Sequence, residues 1–476
     1  MPKGKVLSSL IYKFSERLMV KGLGLIISIV LARLLSPTEF GQIALIMVFI
    51  NLSIVIIDSG LSTALVQDKH TSTEDYSTVL YISLSIASFL IVLLWLTAPL
   101  IGNYYDDSTI VLPLRVYSFS LLIGACNSIL VAKMQREMRF KQMMWCNLVA
   151  CILSGSVGVI MAYAGYGIWA LIAYYFSSSL ITCILLLFIT KWHPMLTFSI
   201  QRAKALFSFG WKMLVSGVLC SLYYDIRALI IGKLYTPADL GYYNRGQQIP
   251  DVVSHTIDNA IQSVMFPVMA QSQDNKYIVK DMLLRTISMG SLLMMPIMLG
   301  LAAVAEPLVS LLLTDKWLPS VVYMQLICMA NMTVSLSSPN LVAIKSIGRS
   351  DVYMKLEVVR RVVMIVVLAI SVLCFDSVIA IAIGYVLSLW LDYVIIVIPV
   401  KRLVGLSLKR QLGGIYKIMI ASLLMAMVVI MIGKLDLQPW LLLCIQIPTG
   451  ICVYVLFCYL LRIDSFNELL NKFKAL

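Results

Sequence analysis

Apolar residues in this chain gather into runs of about 20, separated by short polar segments, and a run of that length spans a hydrocarbon layer as one helix. Fourteen such runs can be read, beginning at 20–35 and 42–61 and ending at 415–433 and 439–461. The run at 247–270 is the most interrupted, because it contains Asp251, His255 and Asp258. The pattern predicts an all-α polytopic membrane protein of about 14 transmembrane helices.

The runs repeat. RLLSPTEFG at 33–41 returns as KLYTPADLG at 233–241, each copy after an apolar run, and LVA at 130–132 returns at 341–343. This predicts two six-helix lobes, 1–195 and 196–401, followed by a C-terminal helix pair within 402–476. Lobes that start on the same side of a membrane are related by an axis along its normal. Such repeats enclose a cavity that opens to each face in turn, as in two-lobed transporters. Pro37 and Pro237 are expected at the outer ends of the helices that they stop. Gly41 and Gly241 are expected to allow a tight return, so the motif reads as a structural hairpin. The segment between lobes, 191–210, is basic and contains Pro194, which fits a surface connection.

Composition supports the membrane reading: 60% of residues are hydrophobic and 13% are charged, against about 25% charged in soluble domains. With the N-terminus inside, 30 of the 37 Lys and Arg fall on inner segments and six on outer ones. Only Arg227 lies well inside a run. The net charge of +13 is thus a topology signal and not a nucleic-acid-binding one. All ten Cys lie within runs and show no ligand spacing, so neither disulfides nor a metal site is expected. The N-terminal segment reads as a retained lead-in to the first helix. The longest outer loop is about 15 residues, near 305–319, too short to build an enzyme site outside the membrane. No phosphate-binding glycine loop or catalytic constellation is present, and no cofactor is expected.

ARLLSPTEFG at 32–41, SGLSTALVQ at 59–67, LVAKMQREMRFK at 130–141 and FGWKMLVSG at 209–217 come in a recognisable order. YYDIRALIIGKLYTPADLGYYNRG at 223–246, FPVMAQSQDN at 266–275, LLTDKWLPS at 312–320 and LVAIKSIGRSD at 341–351 extend it. Together they resemble the polysaccharide-transporter family of the multidrug/oligosaccharidyl-lipid/polysaccharide (MOP) flippase superfamily. The likeness is strongest to flippases for O-antigen, capsule or exopolysaccharide repeat units. It implies MATE-like lobes, a bacterial inner-membrane location with cytoplasmic termini, and a polyprenyl-diphosphate oligosaccharide substrate moved outward by alternating access. Membrane lipids are implied partners. Proton or cation coupling, and contact with glycosyltransferases or a polymerase of the same pathway, stay open. A peptidoglycan-precursor flippase and a cation-coupled multidrug exporter are the related alternatives. A surface-polysaccharide polymerase or ligase is the unrelated one, and the short outer loops disfavour it.

Polar groups inside spans cost ~2.5–3.5 kcal/mol each at a helix centre, so they mark candidate sites. Asp225 and Arg227 stand where the first lobe has Leu25 and Ile27. Residues two apart point to nearly opposite sides of a helix, so these two are not expected to pair with each other. Asp251, His255, Asp258 and Gln262 share one helical face that suits a cavity or a helix contact. Asp58 is the first-lobe counterpart of Asp258. Arg17 and Lys21, one turn apart at the inner mouth of the first span, would suit a diphosphate; the inside-positive bias alone also accounts for them. Interhelical ion pairs or hydrogen bonds are the competing reading for the buried groups. Arg115 and Asp392 have no assigned role.

Overall fold

The computed structural model describes residues 3–58, 60–67, 72–195, 197–273 and 275–475; the side chains of 3–18, 205, 206, 208, 209, 212, 469 and 472–475 lie outside the description. Among the described residues the regular structure is helical throughout, with no strand. The chain divides into two compact units, Met1–Gly241 and Tyr242–Leu476.

The first unit holds α1 (Lys3–Leu34), α2 (Pro37–Asp58), α3 (Leu61–Gln67), α4 (Thr73–Tyr104), α5 (Val111–Ser118) and α6 (Ser120–Arg136), then α7 (Phe140–Tyr163), α8 (Ile168–Thr190) and α9 (Ile200–Leu234). Helix α7 packs between α1 and α8, α6 packs on α4 and α8, and α2 lies against α6 and α9. Helix α10 (Pro237–Gln271) begins in this unit and continues into the second. There follow α11 (Lys276–Ala303), α12 (Ala305–Leu313), α13 (Ser320–Asn331), α14 (Val334–Ser346), α15 (Ser350–Cys374), α16 (Val378–Val404), α17 (Leu408–Gly433), α18 (Pro439–Leu460) and α19 (Asp464–Ala475). Helix α11 is central here: α13, α14 and α17 pack on it, and α18 packs on α17. Its Leu283, Ile287, Met294, Met295 and Met298 belong to one apolar core with Ile396 and Ile418.

Eleven helical segments among the described residues are long and apolar enough to cross a membrane. The α5–α6 and α13–α14 pairs each count as one broken segment. The other three expected spans fall on α1, α10 and α15. Helix α15 carries Asp351, Lys355, Glu357, Arg360 and Arg361 in its first half, and α10 carries a series of acids, which lowers their mean apolarity. A total of 14 therefore stays an expectation from sequence.

The repeated motif folds differently from the expectation. Pro37 and Pro237 open α2 and α10, where a missing N–H costs nothing and φ is already helical. Ser36 and Thr236 cap them. The Ser36 hydroxyl accepts from Glu39 N at 3.4 Å while Glu39 Oε2 accepts from Ser36 N at 2.6 Å. Thr236 and Asp239 repeat this box at 3.2 and 3.1 Å. Gly41 and Gly241 lie within the helices, not in a return. A Cβ on Gly41 would strike the Pro237 carbonyl, and one on Gly241 would strike the Pro37 carbonyl. Close crossing of two backbones is thus the reason that glycine stands there.

Two loops are also more structured than expected. The segment 305–319, expected as a short loop, contains α12 and a 3₁₀ turn, Asp315–Trp317. The segment after α8 is fastened to α4: Met195 N donates to Ser77 Oγ at 2.9 Å and Ser199 N to Thr78 Oγ1 at 3.2 Å. Arg202 closes the join with a two-pronged ion pair to the buried Asp75, at 2.6 and 2.8 Å.

Candidate functional site

Each unit carries its own polar features. In the first, Asp58 ends α2, and Gly60 turns the chain at φ +66°, where a Cβ would also meet Gly210 O and Met213 Cβ. Helix α3 then returns against α6 and α9. This corner places Asp58 on the wall of a cavity of about 770 Å³. Ser128 of α6 donates to Asp58 Oδ1 at 2.6 Å, and Ser62 of α3 meets Ser128 at 2.5 Å. Asn127 donates to Ser179 O of α8 at 3.0 Å. Lys21 is exposed on α1; the Arg17 side chain lies outside the described residues.

Helix α9 buries Arg227, which is 7% exposed. Asp225 accepts a 3.3 Å hydrogen bond from Ser221, one turn earlier on the same helix. Arg227 is thus shielded along its length, while Asp225 is engaged by a hydroxyl of its own helix.

In the second unit the α10 stripe is only partly drawn together. Asp251 Oδ1 accepts from Asn331 of α13 at 2.8 Å. Gln262 donates to Asp258 Oδ2 at 2.8 Å, an i to i+4 bond along the helix. His255 is exposed; among the described residues its ring has no hydrogen-bond partner, and its backbone carbonyl accepts from Asn259. Beyond α13 a buried polar series follows: Ser335 meets Ser291 at 3.3 Å, and Asn340 exchanges hydrogen bonds with Gln411 at 2.9 and 3.1 Å. Tyr393 completes that group by donating to Gln411 at 3.1 Å. Sequence reading missed this series, although Asn and Ser recurring within the run at 320–344 were the available signal.

The two charges left without a role are structural. Arg115 donates to Trp95 O at 3.1 and 3.2 Å, and Trp95 Nε1 donates back to Arg115 O at 3.1 Å. Asp392 of α16 is buried and doubly bonded to Arg360 of α15, which also holds Glu357 at 2.6 Å. Helix α15 begins ten residues before Arg360.

Two further cavities occur in the second unit. One of about 430 Å³ is apolar, walled by Val253 and by residues of α11, α17 and α18, among them Leu292, Ile297, Val429 and Ile451. The other, of about 710 Å³, gathers Arg285, Arg410 and Lys417 with Asp464 and Glu468. No group of three or more metal-ligating side chains occurs among the described residues.

A multi-pass helical membrane protein with buried charge on α9 and polar cavities has the build of a transporter. The chain belongs to the polysaccharide biosynthesis protein family, whose model matches residues 30–322. It is 25% identical over 333 residues to the succinoglycan biosynthesis transport protein ExoT of Rhizobium meliloti, covering 70% of this chain and 67% of ExoT. It is 22% identical to the lipopolysaccharide biosynthesis protein WzxC of Escherichia coli, over 86% of this chain and 89% of WzxC. In fold it matches the lipid II flippase MurJ in an inward closed conformation, with TM-score 0.77 and 15% identity, over 96% of this chain and 99% of MurJ. An inward-facing MATE transporter of the MOP superfamily gives TM-score 0.59 at 15% identity, over 83% and 99%. The fold expectation of a MATE-like membrane protein holds.

Proposed function

We propose that the chain is a flippase. It carries a polyprenyl-diphosphate-linked oligosaccharide repeat unit from the cytoplasmic to the periplasmic leaflet of a bacterial inner membrane, by alternating access. The family match over residues 30–322, joined to relatives named for succinoglycan transport and lipopolysaccharide biosynthesis, carries this reading. The names of those relatives favour a surface polysaccharide over the lipid II of the MurJ fold match. The distribution of 30 of 37 basic residues supports cytoplasmic termini. The carboxylates on α10, with His255 exposed beside them, support coupling to a proton or cation.

The substrate has an anionic and an apolar part. Arg227 supplies persistent positive charge, since a guanidinium keeps its proton even where water is scarce. Its forked donors suit a diphosphate. The apolar cavity between α11, α17 and α18 suits a segment of isoprenoid chain. The test is complementation of a flippase-deficient strain, with protein abundance measured in parallel. Arg227→Lys is expected to keep part of the polysaccharide export, Arg227→Ala little and Arg227→Glu none. Full export by Arg227→Glu at normal abundance would make Arg227 structural, and failure of the unaltered chain to restore any export would overturn the flippase reading.

A further inference from the structure

Arg227 and the apolar cavity answer the diphosphate and the lipid, and leave the sugars without a partner. Sugars are dense in hydroxyl donors, so a site for them needs acceptors that the protein has not already satisfied. The cavity of about 770 Å³ in the first unit has them. Asp58 spends one carboxylate oxygen on Ser128; among the described residues its other oxygen accepts no hydrogen bond. Asn127 lines the same space, with its amide nitrogen donating to Ser179 O and its Oδ1 buried behind the wall, where it accepts no hydrogen bond among the described residues. Gln135 lines the same space with both halves of its amide uncommitted among the described residues. The volume is in the range that takes small molecules, roughly 300–1,000 Å³.

The charge balance narrows the occupant further. Asp58 sits at the carbonyl end of α2, where the helix dipole disfavours a negative charge, and no cation pairs with it among the described residues. An occupant that donates hydrogen bonds relieves this. A multivalent cation is bound by clusters of carboxylates with further oxygens, and the cavity lining holds one carboxylate, Asp58, among hydroxyls and amides. We propose that this cavity, centred on Asp58, Asn127 and Gln135, binds a neutral sugar of the lipid-linked oligosaccharide through its hydroxyls. The proposal rests on the flippase reading and adds to it a sugar subsite within the first unit. In the cytoplasmic-termini orientation Asp58 lies at the inner end of α2, so the subsite serves loading.

The experiment measures binding of two lipids to the full-length protein in detergent by intact mass spectrometry. One is bare undecaprenyl diphosphate. The other is the lipid-linked repeat unit extracted from a flippase-deleted strain of the source organism. The unaltered protein is expected to prefer the sugar-bearing lipid by about tenfold or more, the scale of two hydrogen bonds, one of them to a charged group. Asp58→Asn and Gln135→Ala should each lose most of that preference while holding bare undecaprenyl diphosphate unchanged. The Gln135 side chain makes no hydrogen bond among the described residues, so its variant keeps the test decisive if Asp58→Asn folds poorly. Retention of the full preference by Gln135→Ala and by folded Asp58→Asn overturns the subsite. So does a variant that changes only the sodium or proton dependence of transport, which would mark a cation site. If the unaltered protein binds neither lipid, the flippase reading falls and the subsite with it.

Discussion

Ser36 and Thr236 close the same reciprocal cap with an acid three residues on, and Pro37 and Pro237 open the same kind of helix. At matching distances along α2 and α10, however, Asp58 and Asp258 are held in unlike ways. Asp58 is gripped by a hydroxyl from another helix and faces a cavity. Asp258 is engaged by Gln262 of its own helix. The difference teaches which part of a duplicated sequence is framework. Caps, prolines and crossing glycines repeat because backbone geometry requires them at both places. The charged side chains outside the motif are free to diverge: on the preceding helix, Arg227 and Asp225 replace Ile27 and Leu25 of the first copy.

The comparison breaks most severely at the glycines if they are not framework after all. Gly41→Ala forces a methyl group into the Pro237 carbonyl, and backbone cannot swing aside as a side chain can. We expect destabilisation beyond the ~1–3 kcal/mol of ordinary overpacking, and no folded protein for Gly41→Leu. Gly241→Ala should behave alike. Gly24→Ala, with nothing within 4 Å of its Cβ, should be neutral or gain up to ~1 kcal/mol of helix propensity. Thermal unfolding in detergent, followed by size-exclusion, reads all of these. An unchanged melting temperature for Gly41→Ala would remove the crossing from the argument.

A second contrast lies in how the units bury an acid. Asp75 and Asp392 are both buried, but Arg202, the partner of Asp75, is 36% exposed and Arg360, the partner of Asp392, only 13%. Removing Asp392 leaves Arg360, 13% exposed, with Glu357 as its remaining acid, whereas Arg202 can turn outward. Asp392→Leu should therefore cost about 3–5 kcal/mol, toward the lower end because Glu357 stays, and Asp75→Asn less, about 1.5–3 kcal/mol, the scale of a hydrogen bond to a charged group. The double variant Arg360→Met/Asp392→Leu should recover most of the loss. Equal costs for the two acids would show that partner exposure does not matter here.

The helices and their membrane character were legible because a long apolar run has one physical meaning. Length and hydrophobicity decide it without reference to the rest of the chain. Proline position was legible in kind but misassigned: the same residue both ends one helix and starts the next, and only the Ser36–Glu39 spacing distinguishes the roles. The breaks between α5 and α6 and between α13 and α14 were not legible, because Phe119 and Met332 at those points carry no turn signal. Asp58 and the α10 stripe stood out in sequence as polar groups within apolar runs. Their partners Ser128 and Asn331 did not, since a pairing between helices is a long-range fact that periodicity on one helix cannot encode. Gln411 escaped for the same reason: it lies in the first turn of α17, where sequence places it at a solvated helix start, and it is buried.

The smallest effect is the sharpest test of equivalence between the copies. A capping hydroxyl satisfies one helix-end N–H, and its loss costs about 1 kcal/mol. The two boxes differ in the capping hydroxyl, Ser36 against Thr236, and in the acid, where Glu39 reaches back through one more methylene than Asp239; their backbone bonds to the acid are 2.6 and 3.1 Å. Ser36→Ala and Thr236→Ala should therefore lower stability by similar amounts, with Thr236→Ala equal or slightly worse because its hydroxyl makes the shorter bonds, 3.2 and 2.6 Å against 3.4 and 2.9 Å for Ser36. The exchanges Ser36→Thr and Thr236→Ser keep the hydroxyl and should stay within ~0.5 kcal/mol of the unaltered protein. Matched thermal unfolding of the four variants decides the matter. A loss confined to one copy would mean that the other helix start is held by packing alone, and the shared cap would then be inherited sequence without shared work.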